Sequence, residues 1–352
     1  MANIKLLDCT LRDGGYVNNW RFGHAHAVSI FRRLVKAEVD IVEVGFLDER
    51  HRFDIDRSIM PDTQSTNKIF GALDKGNALA VAMIDYGTCP LSHVAPAEGG
   101  FLDGIRVIFK KHLCVPALAF CAELKKLGYR VFAQAVSTTD YTDGELIELA
   151  RLSNDCAPHA LSIVDTYGLM QPSDVLHRFD LLDEYLNKEI AIGFHAHNNL
   201  QLAYANCAAL LAHTRDSMRT LILDGSLHGM GKSAGNAPLE LLALHLNRYA
   251  EKAYRLPEML SAIDADILPF YEAPTWGYKL FYFLAAAGEC HPAYVAYLME
   301  HETLFTAQIY ELLTQIPPEH RLTFDKNAIE PLYREHVRGA ARSTEKRDTL
   351  LI

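Results

Sequence analysis

Two stretches of this chain combine residue types that hold metals and stabilise charge. The first, LLDCTLRDGGYVNNW, sets Arg12 and Asp13 just beyond a short apolar run, and the second, GFHAHNNL, sets His195 and His197 at the end of another. Residues two apart in a strand point to the same side, so His195 and His197 can present two imidazoles to one ion. An Asp carboxylate brought beside them completes a two-His, one-carboxylate site with positions left for water and substrate. The same tripeptide, His24-Ala25-His26, opens GHAHAVSIFRRLVKAEV, whose apolar residues recur at helical spacing. Two residues apart on a helix is about 200°, which turns those rings to opposite sides. The first pair therefore reads as the surface of a helix start, and the second as ligands.

The elements that must position these residues alternate along the chain. The strands read as IKLLDC, IVEVGF, ALAVAMI, GIRVIF, RVFAQAV, LSIVDT, IAIGFH and TLILDG, with helical stretches such as VPALAFCAELKKLG, DGELIELARLSND, PSDVLHRFDLLDEYLN and NLQLAYANCAALLAHT between them. Near-continuous apolar strands are what a parallel sheet covered on both faces requires. Eight of them favour an α/β fold of the closed (β/α)8 TIM-barrel type over an open doubly wound sheet. Arg12 and Asp13 follow the first run, Glu43 lies in the second, Asp85 and Lys110 follow the third and fourth, and Gln134 lies in the fifth. Asp165, the His195/His197 pair and Asp224 end the last three. Most of these groups converge at the C-terminal mouth, where barrel enzymes place their chemistry.

At 352 residues, 49% hydrophobic and 22% charged, the chain is long enough for one barrel plus an appendage. The barrel domain is expected over 1–254 and a helical C-terminal extension over 255–352, where PTWGYKLFYFLAAAGECHPAYVAYLMEHETLFTAQIYELL reads as an aromatic-rich helical hairpin and RGAARSTEKRDTLLI as a frayed end. Such an extension serves as a cap on the barrel or as an oligomer contact. A net charge of -10 argues against nucleic acid or an anionic membrane as the main partner. No apolar run approaches the roughly 20 residues of a membrane span, MANIKLLDCTLRD does not read as a signal peptide, and a cytoplasmic location is expected. The seven Cys are scattered and expected to be reduced, with Cys9 a small buried residue.

Four motifs together resemble the DRE-type TIM-barrel metallolyases, the HMGL-like family. They are DCTLRDGG, VEVGF, GFHAHNN and GMGKSAGNAPLE, in the right order and at the right strands over roughly residues 4 to 245. Within that family HGMGKSAGNAPLELL looks most like the 4-hydroxy-2-oxovalerate aldolases. The resemblance implies that Asp13, His195 and His197 hold a divalent ion such as Mn²⁺ or Mg²⁺, with Asn236 a candidate further ligand. It implies a lyase or aldolase in which a 2-keto acid chelates the ion and the enolate left by C–C cleavage is stabilised. Arg12 would add positive charge at the enolate oxygen, and Glu43 would hold the guanidinium in place. The substrates would be a small 2-keto acid and an aldehyde, and the enzyme a homo-oligomer.

Two departures stand out. The aldolases place an acid/base His three residues after the metal-binding Asp, and here that position is Tyr16. With a reference pKa near 10 a Tyr is a poor base, so proton transfer falls to a water at the metal, to Tyr16 with a lowered pKa, or to His228 in the loop after the last strand. The C-terminal region also does not resemble the one through which those aldolases contact an aldehyde dehydrogenase, so that partner is not carried over. The rival readings are a Claisen-type synthase joining an acyl-CoA to a 2-keto acid and a non-catalytic barrel scaffold. Metal-dependent hydrolase and oxygenase chemistry is further away, because hydrolase barrels carry HxH after the first strand and the usual iron oxygenases are β-sandwiches.

Overall fold

A computed structural model describes residues 3–271, 275–301 and 304–349, with side chains up to residue 338. Nine strands form one parallel sheet: β1 (Ile4–Asp8), β2 (Ile41–Leu47), β3 (Ile59–Met60), β4 (Leu79–Asp85), β5 (Gly104–Phe109), β6 (Arg130–Ala135), β7 (Ala160–Asp165), β8 (Ala191–Ala196) and β9 (Leu221–Gly225). Because β1 pairs with both β9 and β2, eight of them close into a TIM barrel, and β3 adds to the C-terminal end of β2. The eight barrel strands lie within one residue of the apolar runs read from the sequence. The ninth was missed because two residues carry no period.

Side-chain alternation divides the core. Leu7, Ile41, Val81, Phe132, Ala160, Ala191 and Ile222 point inward and fill the lower barrel. Their neighbours Leu6, Val42, Ala80, Val107, Ile163, Phe194 and Leu223 point outward against the helices. Burial on both faces is why these strands read as unbroken apolar runs. The helices begin where the sequence supplies a cap: Asp62 accepts from Ser65 N at 2.7 Å, and Thr142 and Glu145 bond each other's backbone N–H groups. Helix His24–Lys36 buries Ala27, Ile30, Phe31 and Leu34 at helical spacing, and His26 on it bonds Asp266 at 2.9 Å. One crossover differs from the expected alternation, since β4 and β5 are joined by a loop with only a short turn, Leu91–His93.

Above the apolar plug the inward column turns polar, with Glu43, Arg106, Gln134, Ser162, His195 and Asp224 all buried. Gly193 makes this possible on β8, because a Cβ there would lie 2.1 Å from Ser162 Oγ.

The region after residue 254 is helical, yet its first part stays with the barrel. Helix Leu256–Ala262 packs on helices His24–Lys36 and Leu239–Tyr249, and Met259, Ala262, Ile263, Ile267 and Trp276 join the main core. The first compact unit accordingly runs to Gly277 rather than ending at 254. Met259, Ile263 and Ile267 recur every four residues, so this segment extends the outer helical layer without a strand.

The second unit, Tyr278–Ile352, has its own core of Leu284, Tyr294, Val295, Leu298, Leu312, Leu313 and Ile329. Three helices, Leu280–Ala287, Pro292–Met299 and Thr306–Thr314, replace the expected hairpin. Gly288 ends the first of them, and Pro292 opens the next. A helix runs on over Lys326–Thr349 where a frayed end was expected, and residues 350–352 of that stretch lie outside the described residues. Among the described residues no helix is long and apolar enough to cross a membrane.

Candidate metal centre and active site

The turn after β1 folds Asp13 back over the strand, its N–H donating to Cys9 O at 2.8 Å. This brings its carboxylate between the imidazoles of His195, in β8, and His197, just past its end. Asp13, His195 and His197 are all buried, with ligand atoms within 4.8 Å of one another. Asp13 Oδ2 lies 3.5 Å from His195 Nε2, and Oδ1 lies 3.5 Å from His197 Nε2. The far side of each ring is engaged elsewhere. His195 Nδ1 is 3.0 Å from Asp224 Oδ2, and His197 Nδ1 is 3.3 Å from the Asp165 carbonyl. Those acceptors require the proton on Nδ1, which leaves both Nε2 lone pairs facing Asp13.

Two buried atoms at this point lack hydrogen-bond partners: His197 Nε2 and Asn236 Oδ1. Asn236 Nδ2 donates to Met230 O at 3.2 Å, which fixes the orientation of the amide. Gly231 shows how closely the groups converge, because a Cβ there would lie 2.2 Å from Asn236 Nδ2 and 2.9 Å from Asp13 Oδ1. One carboxylate, two imidazole nitrogens and an amide oxygen form a mixed N/O donor set that suits a divalent cation. The orphaned atoms are what such an ion would satisfy.

Beneath this cluster runs a network of buried charge. Arg12 Nε donates to Glu43 Oε2 at 2.8 Å, and its NH1 bonds Asp13 Oδ2. Arg106 NH1 donates to the same Glu43 oxygen at 2.9 Å, and its NH2 reaches Gln134 Oε1 at 3.1 Å and Asp224 Oδ2. Arg106 was not singled out from the sequence. The signal was an Arg at an inward position of GIRVIF, a run otherwise free of charge.

Two guanidinium groups face three carboxylates, Asp13, Glu43 and Asp224, so the buried set attracts a cation. Burial alone would raise the Asp13 carboxyl, but Arg12, His197 and His195 hold it well below the usual range. Burial likewise opposes ionisation of Asp224, and Arg106 with His195 outweighs it. His195 moves up despite burial because Asp13 and Asp224 flank it, whereas burial prevails at His197 and moves it down.

A cavity of about 50 Å³ opens above the Asp13, His195 and His197 cluster. Arg12, Asp13, His195, His197, Tyr16, Gln134 and Lys232 supply its polar lining, and Met83, Ile108 and Val164 an apolar wall. Tyr16 packs edge-on against Trp20 at 4.8 Å and Phe46 at 6.2 Å. Its phenol is pushed up to about 12 by burial and by Asp13. That corrects the expectation of a lowered pKa, since the opposing pull of Arg12 is smaller than the push of desolvation and Asp13.

His228, the other acid/base candidate, is not among the lining residues. Its backbone adopts φ 54°, its ring stacks edge-on against Tyr271 at 5.0 Å and Trp276 at 6.1 Å, and its N–H donates to Glu240 at 3.1 Å. Asp165 accepts from Leu169 N and Met170 N, shaping the loop after β7, and burial raises it to about 6. Asp85 and Lys110 are exposed at the ends of β4 and β5, outside the cavity lining.

Residues 113–264 match the HMGL-like family model. The chain is 28% identical over 285 residues to a 4-hydroxy-2-oxovalerate aldolase of Chloroflexus aggregans, covering 78% of this chain and 79% of that protein. Among solved structures, the N-terminal domain of an aldolase candidate from Bacteroides vulgatus superposes with a TM-score of 0.71 at 23% identity, covering 87% of this chain and 99% of that one. The HMG-CoA lyase of Bacillus subtilis superposes at 0.60 and 18% identity, covering 76% and 93%. The family resemblance read from the four motifs and the barrel fold both hold.

Proposed function

We propose that this chain, with its HMGL-like domain, is a divalent-metal-dependent aldolase or lyase that breaks or forms a C–C bond next to a 2-keto acid through a pyruvate-type enolate. The observation that carries the reading is the buried Asp13, His195 and His197 cluster beside the guanidinium of Arg12. The aldolase name of the relatives supports it. Mn²⁺ or Mg²⁺ held by Asp13, His195 and His197, with Asn236 as a further ligand, would supply Lewis-acid stabilisation of the enolate.

The chain's own residues do the rest. Arg12 keeps unused N–H groups beside the ligands after bonding Glu43 and Asp13, and these donate to developing negative charge on the substrate oxygen. Glu43 fixes the plane of that guanidinium, and Asp224 fixes the tautomer of His195. Tyr16 stays protonated at neutral pH and serves as a hydrogen-bond donor to the aldehyde oxygen, which gains a proton when the C–C bond forms. The apolar wall of Met83, Ile108 and Val164 limits water around the carbanionic carbon.

The test is deuterium exchange into the methyl group of pyruvate with Mn²⁺ present. The expected result is exchange that EDTA abolishes and His195→Ala removes. Mn²⁺ binding without exchange would favour another keto acid or the scaffold reading.

A further inference from the structure

We propose that Lys232 selects a second carboxylate on the substrate, so that the aldehyde half is itself an anionic, carboxylate-bearing aldehyde. The inference rests on the aldolase reading and narrows its substrate class. Among the described residues the cavity is lined by two cations, Arg12 and Lys232. Arg12 is already engaged by Glu43 and Asp13. Lys232 is not: its Nζ lies 5.6 Å over the Tyr16 ring and forms no ion pair or hydrogen bond with a described residue.

The position of Lys232 is set by its backbone. Its N–H donates to Asp13 Oδ1 at 2.8 Å, and its carbonyl accepts from Gly235 N at 2.9 Å. Its neighbours are also held, Ser233 in the left-handed region at φ 59° and Ala234 N bonded to Asn199 Oδ1 at 3.2 Å. The root of the side chain is thus pinned beside a ligand, and its half-buried ammonium stands over an aromatic face of the cavity. An ammonium partly removed from water without a counter-charge is unfavourable unless an anion arrives.

The pairing of charges points the same way. Arg12 and Arg106 are bonded to Asp13, Glu43 and Asp224, whereas Lys232 has no carboxylate partner among the described residues. A second carboxylate on the substrate would supply the counter-charge of its ammonium. Nearby charges are already paired: Lys110 faces Asp85, and Arg50 is bonded to Asp48.

The test compares two stable keto acids with the same head, 2-oxobutyrate and 2-oxoglutarate, by calorimetric titration of the Mn²⁺-loaded protein. The expected result is binding of 2-oxoglutarate about tenfold tighter or more, equivalent to about 1.4 kcal/mol. Lys232→Met should erase that ratio, and Lys232→Arg should preserve it, which separates loss of charge from loss of folding. No preference in the wild type overturns the inference. Equal weakening of both acids in Lys232→Met also overturns it, because Lys232 would then hold the keto acid's own carboxylate. Pyruvate deuterium exchange on the same preparation tells the two readings apart. Exchange without a dicarboxylate preference sinks the role of Lys232 alone, whereas the preference without exchange sinks the aldolase chemistry.

Discussion

Arg12 and Arg106 donate to one and the same oxygen. Glu43 Oε2 accepts from Arg12 Nε at 2.8 Å and from Arg106 NH1 at 2.9 Å, with all three side chains buried. Two like charges are held together because one carboxylate lies between them and Asp224 takes the other end of Arg106. Since Asp224 also holds His195, the Arg12 guanidinium and an imidazole of the candidate metal cluster are connected through side chains alone.

Removing Arg106 should therefore destabilise the whole interior. Arg106→Met leaves Glu43 and Asp224 with fewer partners, and losing one member of a buried ionic network costs about 3–5 kcal/mol. Urea unfolding measures the loss. A cost below about 1 kcal/mol would mean that water reaches the network and solvates the remaining carboxylates.

The ligand assignment makes a sharp stoichiometric prediction. The double variant His195→Ala, His197→Ala should lose the divalent ion in metal analysis and Mn²⁺ titration, whereas His24→Ala should keep it. Undiminished binding in the double variant would remove these residues as ligands.

Arg12→Lys should leave metal binding close to normal while lowering turnover by about 100-fold, the range seen when one preorganised oxyanion donor is lost. Lys keeps the charge but not the planar fork that Glu43 orients. Normal turnover would show that the ion alone carries the enolate.

Tyr16→Phe separates two steps of the proposed reaction. C–C cleavage needs a group at the substrate hydroxyl, and exchange of the pyruvate methyl protons does not. Cleavage should fall much further than exchange. Equal loss of both would make Tyr16 a prop for Trp20 and Phe46, and no loss of either would move the proton transfer to solvent.

Asp8 gives the pH dependence a definite sign. Its carboxyl accepts from Thr10 N at 3.0 Å and Thr10 Oγ1 at 2.6 Å, yet burial outweighs those bonds and pushes it up to about 7. Between about pH 4 and about 7 the folded protein keeps a proton that the unfolded chain releases, so stability falls as pH rises, by up to ~1.4 kcal/mol per unit. Asp8→Asn should flatten that slope in urea unfolding across this window. A slope unchanged by the substitution would show that Asp8 is ionised in the fold.

Much of this was legible in the chain because it is local. Near-continuous apolar runs located the eight barrel strands, the strand context of His195 and His197 separated them from the helical His24 and His26, and an acid beside a base in DCTLRDGG marked the first turn. The grouping of Asp13 with residues some 180 positions away needed the β1–β9 and β8–β9 pairings that close the barrel. Other facts were decided only in three dimensions. Arg106 became a partner of Glu43 and Asp224 because β5 points it inward across the barrel, and no neighbour in sequence reveals that. Lys232 entered the cavity because its backbone N–H is tied to Asp13, and His228 left it because a left-handed turn sets its ring against Tyr271 and Trp276. The direction of the Tyr16 shift followed from what surrounds the phenol, an aromatic bed and a carboxylate, and that surrounding joins the turn after β1 to Phe46 of β2. Sequence spacing determines which residues share a face, and barrel closure determines which faces meet.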